Sequence, residues 1–247
     1  MTELSFSTPG WRAVLAVGLL TALLAWETAQ PFFTLFGRAG DRARHGVRNL
    51  ALGALNAAIV ALLFAGAWLA VTQWAAAHRF GILNGLELPP WPRATLAVLM
   101  LDGWMYFWHW LNHQVPLFWR FHRLHHADRA MDVTTASRFH TGEIVLSSIF
   151  RLPVLLLLGC RIEELALYEL LLFAVVQFHH ANIALPARLD RWLRLLIVTP
   201  SVHKVHHSVV RAECDSNFSS LFSWWDPLFR TQRIVRDPQR IVFGIGE

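Results

Sequence analysis

The chain has 247 residues, of which 55% are hydrophobic and 16% carry a charge. A soluble globular domain carries about 25% charged residues, so this composition excludes an ordinary cytosolic protein, and its apolar content excludes a disordered one. The formal net charge is +5, and every basic residue except Lys204 is an arginine. These arginines cluster beside apolar runs, which fits a membrane surface better than a nucleic acid. Cys160 and Cys214 alone imply no disulfide framework.

Five apolar segments are candidates for membrane helices, because a helix needs about 20 mostly apolar residues to cross a bilayer. The first has no basic segment before it and no small-residue cleavage site, so we interpret it as a retained span rather than a signal peptide. The last two are short, flank a charged turn at 160–164, and are predicted to form a hairpin. The candidate spans are Trp11–Ala29, Leu50–Ala75, Ala94–Leu111, Ile144–Gly159 and Leu165–Phe178.

The distribution of basic residues predicts the orientation of these spans. Arginines are concentrated between the first and second spans, between the third and fourth, and after the fifth. The positive-inside rule places these three regions in the cytoplasm and the N-terminus outside. Arg151 interrupts the fourth span, and an intramembrane arginine normally faces protein or water.

No internal repeat or soluble second domain is apparent, so we interpret residues 1–247 as a single membrane domain. The predicted fold class is an all-α integral membrane helical bundle of about four or five membrane helices, with a histidine-rich dimetal cap on the cytoplasmic side. The segment from Asp190 onward is mixed and rich in tryptophan, and it is predicted to form short helices on that face.

The 13 histidines are the strongest chemical signal, because most of them fall in tight clusters at the ends of the predicted spans. Residues three or four apart share a helix face, so HxxxH and HxxHH spacings direct imidazoles toward one point. Imidazole binds Zn, Fe, Cu and Ni. Ten histidines are too many for one tetrahedral zinc site, and they suit one pair of metals. The candidate ligands are His109 and His113; His122, His125 and His126; the weaker pair His179 and His180; and His203, His206 and His207.

Several other polar residues each have two interpretations. They could orient a ligand imidazole from behind, or they could serve local structure as an interhelical bond, a helix cap or a loop turn. The isolated His45 and His78 are interpreted as polar anchors or satisfied core residues. The residues with two interpretations are Asp102, two turns before His109; His140 and Glu143, at the start of the fourth span; and Asp215 and Asn217, after the last histidine cluster.

The histidine boxes and the segments around them resemble the membrane fatty acid hydroxylase and sterol desaturase superfamily, in particular its bacterial sterol-desaturase-like members. The resemblance covers residues 94–233, whereas residues 1–93 are similar to a variable transmembrane anchor and 234–247 form a tail. Two departures stand out: Val175 and Val176 replace the first histidine of an HxxxH pattern, and Thr141 replaces a proline after His140. The matching segments are 109–126, 131–140, 180–182, 199–208, 215–218 and 225–231.

The resemblance implies a membrane-bound non-haem diiron oxygenase that uses O2 and two electrons to hydroxylate or desaturate an unactivated C–H bond of a lipid. Such a bond offers no handle for acid–base catalysis, so a metal and oxygen must supply the oxidant. The ten clustered histidines would hold two Fe ions, which zinc could replace on purification. With no fused redox domain apparent, a separate electron donor is expected, either a ferredoxin or a cytochrome b5-like protein with its reductase. The expected location is the bacterial inner membrane, with the histidine boxes and the C-terminus in the cytoplasm.

Two other functions remain open from the residues alone. A metal-dependent membrane hydrolase would use a metal-bound hydroxide, but the chain has no HExxH motif and its histidine boxes contain no acidic residue. A non-catalytic metal-binding membrane protein is the second alternative. A transporter would place its ligands near the bilayer midplane, whereas these cluster at one face. Nucleic-acid binding is not expected, because no recognition motif is present.

Overall fold

The computed structural model describes residues 9–246, with side chains from residue 14 onward. This part of the chain is all-helical and contains no β-strand. Three short 3-10 turns lie at 82–85, 133–137 and 238–240. The helices are α1 (Pro9–Ala29), α2 (Ala39–Leu63), α3 (Ala65–Ala77), α4 (Pro90–Gln114), α5 (Pro116–His126), α6 (Thr141–Leu158), α7 (Ile162–His180), α8 (Ala187–Leu193), α9 (Pro200–His206), α10 (Arg211–Cys214) and α11 (Trp225–Phe229).

The first, third and fifth predicted spans lie within helices, and the fourth lies within α6 except for Gly159, the residue that caps its C-terminus. The second span differs from its prediction. Instead of one helix over Leu50–Ala75, the structure has α2 and α3, separated at Phe64, whose φ is −120°. The N–H of Phe64 still donates to Val60 O at 2.9 Å, so the interruption is local. By length and composition, α2 and α6 are the described helices apolar enough to cross a membrane.

Helix α2 also begins eleven residues earlier than the predicted span, so arginines expected in a loop lie in its first turns. Two features stabilise this early start. Asp41 stands in the first turn, where a negative charge is favourable. Arg42 also forms an ion pair at 2.9 Å with Glu27, a buried residue of α1. The ion pair therefore fixes the beginning of α2 against α1.

The apolar core lies between α3, α4, α6 and α7. It includes Trp68, Leu101, Leu155, Leu165 and Tyr168, all buried. Fully burying one large apolar side chain is worth about 1.5–3 kcal/mol. This core holds the long helices together and leaves the C-terminal ends of α4 and α7 beside the start of α6.

A second set of interactions holds the opposite ends of these helices. Arg93 of α4 donates from Nε to Glu164 of α7 at 2.7 Å and from Nη2 to the carbonyl of Gly159 at 2.9 Å. The backbone at Gly81 packs closely here: a Cβ on Gly81 would lie 2.4 Å from Gly159 N, and its φ is +94°. The bundle is thus closed by polar contacts at the end away from the histidines.

Candidate metal centre

Four helix ends bring the clustered histidines together. The C-terminal turn of α4 carries His109 and His113, and the next cluster follows on α5. Pro116 separates these two helices because it cannot continue the hydrogen-bond pattern of α4 but is well suited to the first position of α5. Pro200 begins α9 in the same way. The clusters on α7 and α9 complete the site, so all four histidine motifs meet in one place.

The structure divides nine of the ten histidines into two groups. Within each group the potential ligand atoms all lie within 4.8 Å of one another, and every member is buried. His179 belongs to neither group: its ring stacks on that of His203, with the centroids 3.8 Å apart. The first group contains His109, His113, His122, His126 and His206, and the second contains His125, His180, His203 and His207.

Hydrogen bonds fix the orientation of most imidazoles in the first group. Four rings hold Nδ1 against an oxygen acceptor, which places the proton on Nδ1 and leaves the Nε2 lone pair free. His126 instead places Nδ1 3.6 Å from Cys214 Sγ. The four bonds are His109 to Phe218 O at 2.8 Å, His113 to Asp215 at 3.2 Å, His122 to Glu143 at 2.9 Å, and His206 to Ser216 O at 2.7 Å.

Nε2 atoms also converge in the second group. His180 bonds through Nδ1 to Val176 O, and its Nε2 lies 3.1 Å from Nε2 of both His125 and His203. His207 Nε2 lies 3.2 Å from His203 Nε2. Two nitrogens bound at right angles to one metal at about 2.1 Å would stand about 3.0 Å apart. The spacing therefore fits ligands that share a cation.

Burial keeps these imidazoles in the protonation state that metal binding requires. Desolvation, aided by neighbouring imidazoles, lowers the pKa of His125, His126 and His207 well below the usual value. Desolvation likewise lowers the pKa of His206 to about 3. At neutral pH these rings are uncharged and their lone pairs are available. Buried nitrogens that have no partner in the part of the chain that the structure describes, such as His113 Nε2 and His206 Nε2, fit the same interpretation.

The two groups adjoin, which suits a dinuclear centre. The rings of His126 and His207 stack with their centroids 4.4 Å apart, although they belong to different groups. The donor set of neutral nitrogens fits any metal that imidazole binds, iron and zinc among them.

His140 and Glu143 lie at the start of α6, where Glu143 contacts a histidine of the first group and His140 contacts the backbone of its own helix. Glu143 is buried and accepts from His122 through Oε1, whereas its Oε2 has no partner among the described residues. His140 accepts the N–H of Gly142 at 2.9 Å and caps α6. The predicted pair is therefore split between support of a histidine and local structure.

Asp102 and Asn217 hold backbone rather than histidines. Asp102 accepts from the N–H groups of Leu221 and Phe222 and from Trp225 Nε1, so it fixes this segment against α4. Asn217 adopts a left-handed conformation, with φ of 55°. Its Nδ2 donates to Val202 O at 3.1 Å and to Arg233 O at 2.7 Å, which holds α9 beside the C-terminal segment.

Asp226 is a supporting residue that the spacing arguments missed. Its carboxylate accepts from the N–H of Phe218 at 2.7 Å and of Ser219 at 3.1 Å. It thereby stabilises the loop whose Phe218 carbonyl receives His109. Asp226 lies nineteen positions after His207, the last histidine, so its spacing from the histidine boxes did not indicate a role in the site. Asn112 and Gln177, which line the cavity beside the site with unpartnered polar atoms, were also missed.

His45 and His78 lie outside both groups. His45 forms a buried network with Asp128 at 2.9 Å and Asp132 at 3.4 Å. His78 is exposed and stacks on Trp74. Both residues therefore have local partners and contribute no ligand atom to either group.

A cavity of about 1210 Å³ leads to the histidines from the interior of the bundle. Helices α1, α2, α3, α4, α6 and α7 form its wall, which is mostly apolar. At one end it is lined by histidines of both groups and by His179: His109, His122, His125, His179, His180 and His203. An apolar molecule in this cavity would reach both groups.

The described residues thus form an all-helical protein in which two adjoining groups of buried imidazoles, each able to hold a metal ion, lie beside an apolar cavity. Residues 94–231 match the family model described as "Fatty acid hydroxylase". This match covers more than half of the chain, and the chain belongs to that family. The matched region begins in α4 and ends after α11, so it contains every histidine of the two groups.

The chain is also similar, at moderate identity, to several proteins that act on lipids by name. Alkylglycerol monooxygenase of Homo sapiens is 29% identical over 157 residues, which are 63% of this chain and 33% of that protein. Ornithine lipid hydroxylase OlsE of Rhizobium tropici is 28% identical over 159 residues (63% and 47%). C-4 methylsterol oxidase erg25 of Schizosaccharomyces pombe is 28% identical over 165 residues (62% and 53%). The chain thus spans between a third and about half of these relatives' lengths, and no solved structure matches it.

Proposed function

We propose that the protein is a membrane-bound non-haem diiron oxygenase that hydroxylates, or desaturates, an unactivated C–H bond of a lipid. The observation that carries the proposal is the junction of two groups of neutral imidazoles with one end of a large apolar cavity. The relatives named above, a monooxygenase, a hydroxylase and an oxidase, agree with oxygenase chemistry on lipids. O2 is the proposed co-substrate.

The two groups are proposed to hold one iron each, and His179 is proposed to support the second group through its stacking on His203. The metals would supply the O2 chemistry that no side chain here can perform. The chain's own part is to hold ligand lone pairs inward, through Glu143 and the carbonyls of Phe218 and Ser216. Such outer partners commonly change metal affinity about 10–100-fold when removed.

The mostly apolar wall of the cavity supports a lipid substrate, because transfer of a hydrocarbon chain from water to an apolar environment is favourable. Holding a substrate in the correct geometry lowers the barrier by avoiding the entropy cost of an encounter. Asn112 and Gln177 line the same end, and Asn112 Nδ2 and Gln177 Oε1 have no hydrogen-bond partner among the described residues. We propose that they contact the bound substrate or O2 beside the metals.

The proposed membrane arrangement has about four or five spanning helices, drawn from α1, α2–α3, α4, α6 and α7. The proposed location is a bacterial inner membrane, with the arginine-rich segments, the histidine cap and the C-terminus on its cytoplasmic side. Residues 1–93 act as anchor and 94–233 as catalytic region of one membrane domain, followed by the tail at 234–247. Electrons come from a separate protein, a ferredoxin or a cytochrome b5-like protein with its reductase.

The first test is metal stoichiometry in protein expressed with added iron. Wild type is expected to contain about two irons per chain, since there are two ligand groups. His206→Ala removes a ligand from the first group and His125→Ala from the second, and each is expected to lower the content. His78→Ala, which changes an exposed histidine outside both groups, is the matched control.

The second test compares lipid extracts of cells that express wild type and His206→Ala. Gain of one oxygen atom by a lipid would indicate hydroxylation, and loss of two hydrogen atoms would indicate desaturation. One metal per chain, or metal content indifferent to His206, would refute the dinuclear proposal. In that case a metal-dependent hydrolase or a non-catalytic metal-binding protein becomes the better explanation.

A further inference from the structure

The cavity wall carries one charged pair far from the histidines. On α6, Arg151 lies two turns beyond Glu143 and faces the same cavity. On α7, Glu169 belongs to a stripe of lining residues that continues to His180. Nη1 of Arg151 donates to Oε1 of Glu169, so the pair joins the two helices across the cavity wall. Apart from Glu143, no other acidic or arginine side chain lines the described cavity.

The aromatic ring of Trp68 holds the charged pair in place, and part of the pair's surface remains exposed. The guanidinium carbon of Arg151 lies 4.8 Å from the centre of the Trp68 ring. Trp68 is itself fixed, because its indole N–H donates to Ser148 O at 3.2 Å. The Glu169 side chain is 42% exposed and that of Arg151 12%. Ionisable side chains at membrane depth are costly and commonly mark a functional site.

Helix geometry gives the distance from this pair to the histidines. An α-helix rises 1.5 Å per residue. Eight residues separate Arg151 from Glu143, the partner of His122, which corresponds to about 12 Å. Eleven residues separate Glu169 from His180, which corresponds to about 16 Å. A molecule touching both places therefore spans roughly 12–16 Å.

We propose that the Arg151–Glu169 pair is a binding subsite for an uncharged hydroxyl group of a lipid whose distant carbons reach the histidines. Glu169 already compensates the charge of Arg151, so a carboxylate or phosphate would gain little from the arginine and would be repelled by the glutamate. A hydroxyl can accept from an Arg151 N–H while it donates to the Glu169 carboxylate. Only the statement that the lipid reacts at the histidines rests on the proposed function.

Binding of matched probes to the metal-loaded protein in nanodiscs tests this subsite. The probes are hexadecanol, palmitate and hexadecane, which share a chain and differ in the end group. Wild type is expected to bind hexadecanol about tenfold more tightly than hexadecane, the gain from a hydrogen bond to a charged group, and to prefer it to palmitate. Glu169→Gln leaves the arginine uncompensated and is expected to shift the preference toward palmitate.

Two further variants separate recognition from folding. Arg151→Met combined with Glu169→Met is expected to bind hexadecanol and hexadecane alike. Glu163→Gln removes an exposed acid from the same helix outside the cavity and is expected to behave as wild type. Metal content and melting temperature establish that each variant is folded.

The inference is overturned if wild type does not distinguish hexadecanol from hexadecane, or if Glu169→Gln keeps the wild-type preference. A variant that gains affinity for palmitate cannot be explained by misfolding, and a pair that only joins two helices cannot explain a wild-type preference for hexadecanol over hexadecane. Because the readout is binding, the expected pattern in a protein that oxidises none of the probes would support the subsite while counting against the proposed oxygenase activity.

Discussion

Replacing Asp102 by alanine is expected to destabilise the fold while leaving both ligand groups able to bind metal. The carboxylate is fully buried and accepts from Leu221 N at 3.3 Å, Phe222 N at 3.0 Å and Trp225 Nε1 at 2.8 Å. Each buried donor left without a partner costs about 1–3 kcal/mol. Three such donors give a loss of roughly 3–9 kcal/mol, reduced where water enters the space. That is a large part of the 5–15 kcal/mol typical of a folded domain.

The assay is unfolding of the purified protein in detergent, followed by intrinsic fluorescence at fixed metal concentration. Asp102→Asn retains one carbonyl oxygen and is expected to lose about half as much stability as Asp102→Ala. Metal content is measured on the folded fraction of each variant. The same measurements on Glu87→Ala, which changes an exposed acid in the loop before α4, provide the control.

The result that would refute this reasoning is an Asp102→Ala protein that unfolds like wild type but has lost metal. Asp102 would then act on the ligands, as its position two turns before His109 first allowed. The structure argues for the other role, because all of its hydrogen-bond partners are backbone or side-chain donors outside the two ligand groups.

Three further predictions follow from the described contacts. Glu143→Ala is expected to weaken metal binding about 10–100-fold by releasing His122, measured by competition with a chelator, with Glu163→Ala as control. Metal affinity at equilibrium is expected to change little between about pH 6 and 8, because burial lowers the pKa of His206 to about 3 and protons no longer compete; a steep fall below about pH 6.5, the ordinary histidine value, would contradict this. Gly81→Ala is expected to lower the melting temperature because of its positive φ and close contact with Gly159, whereas Gly85→Ala, whose Cβ would meet nothing within 4 Å, is expected to cost much less.

Much of the helical fold follows from local sequence. The lengths of the apolar segments predict the long helices. Pro116 and Pro200 mark the first residues of α5 and α9, which the spacing of apolar residues does not define. The break at Phe64 was not predictable, because the segment around it is uniformly apolar and the backbone hydrogen bonds continue past it. The early start of α2 was also missed, since it depends on Glu27, a residue of another helix.

The sequence predicted which histidines form the candidate site, but it did not predict how they divide into two ligand groups. Within the pair His179 and His180, the resemblance favours His180, which begins the matching segment 180–182. Spacing alone does not separate the two residues, and it is the packing of α7 against α9 that places His180 in a group and His179 beside it. The roles of Asp226 and Asn217 depend on backbone contacts between distant segments. Spacing cannot reveal contacts of that kind.

The division does have a physical logic that follows from helix geometry. In an HxxHH box the first and last histidines are four residues apart and about 40° apart around the axis, whereas the middle one is about 100° from the last. On α5 the outer pair, His122 and His126, joins the first group and His125 joins the second.

The box on α9 makes the reverse assignment. Its outer pair, His203 and His207, joins the second group, and His206 joins the first. Each box therefore gives two ligands to one group and a single ligand to the other. Because each of the two boxes gives ligands to both groups, a shift of either box would move ligands of both groups. The two HxxHH boxes together thus predict a pair of coupled metal sites, which a count of histidines alone does not.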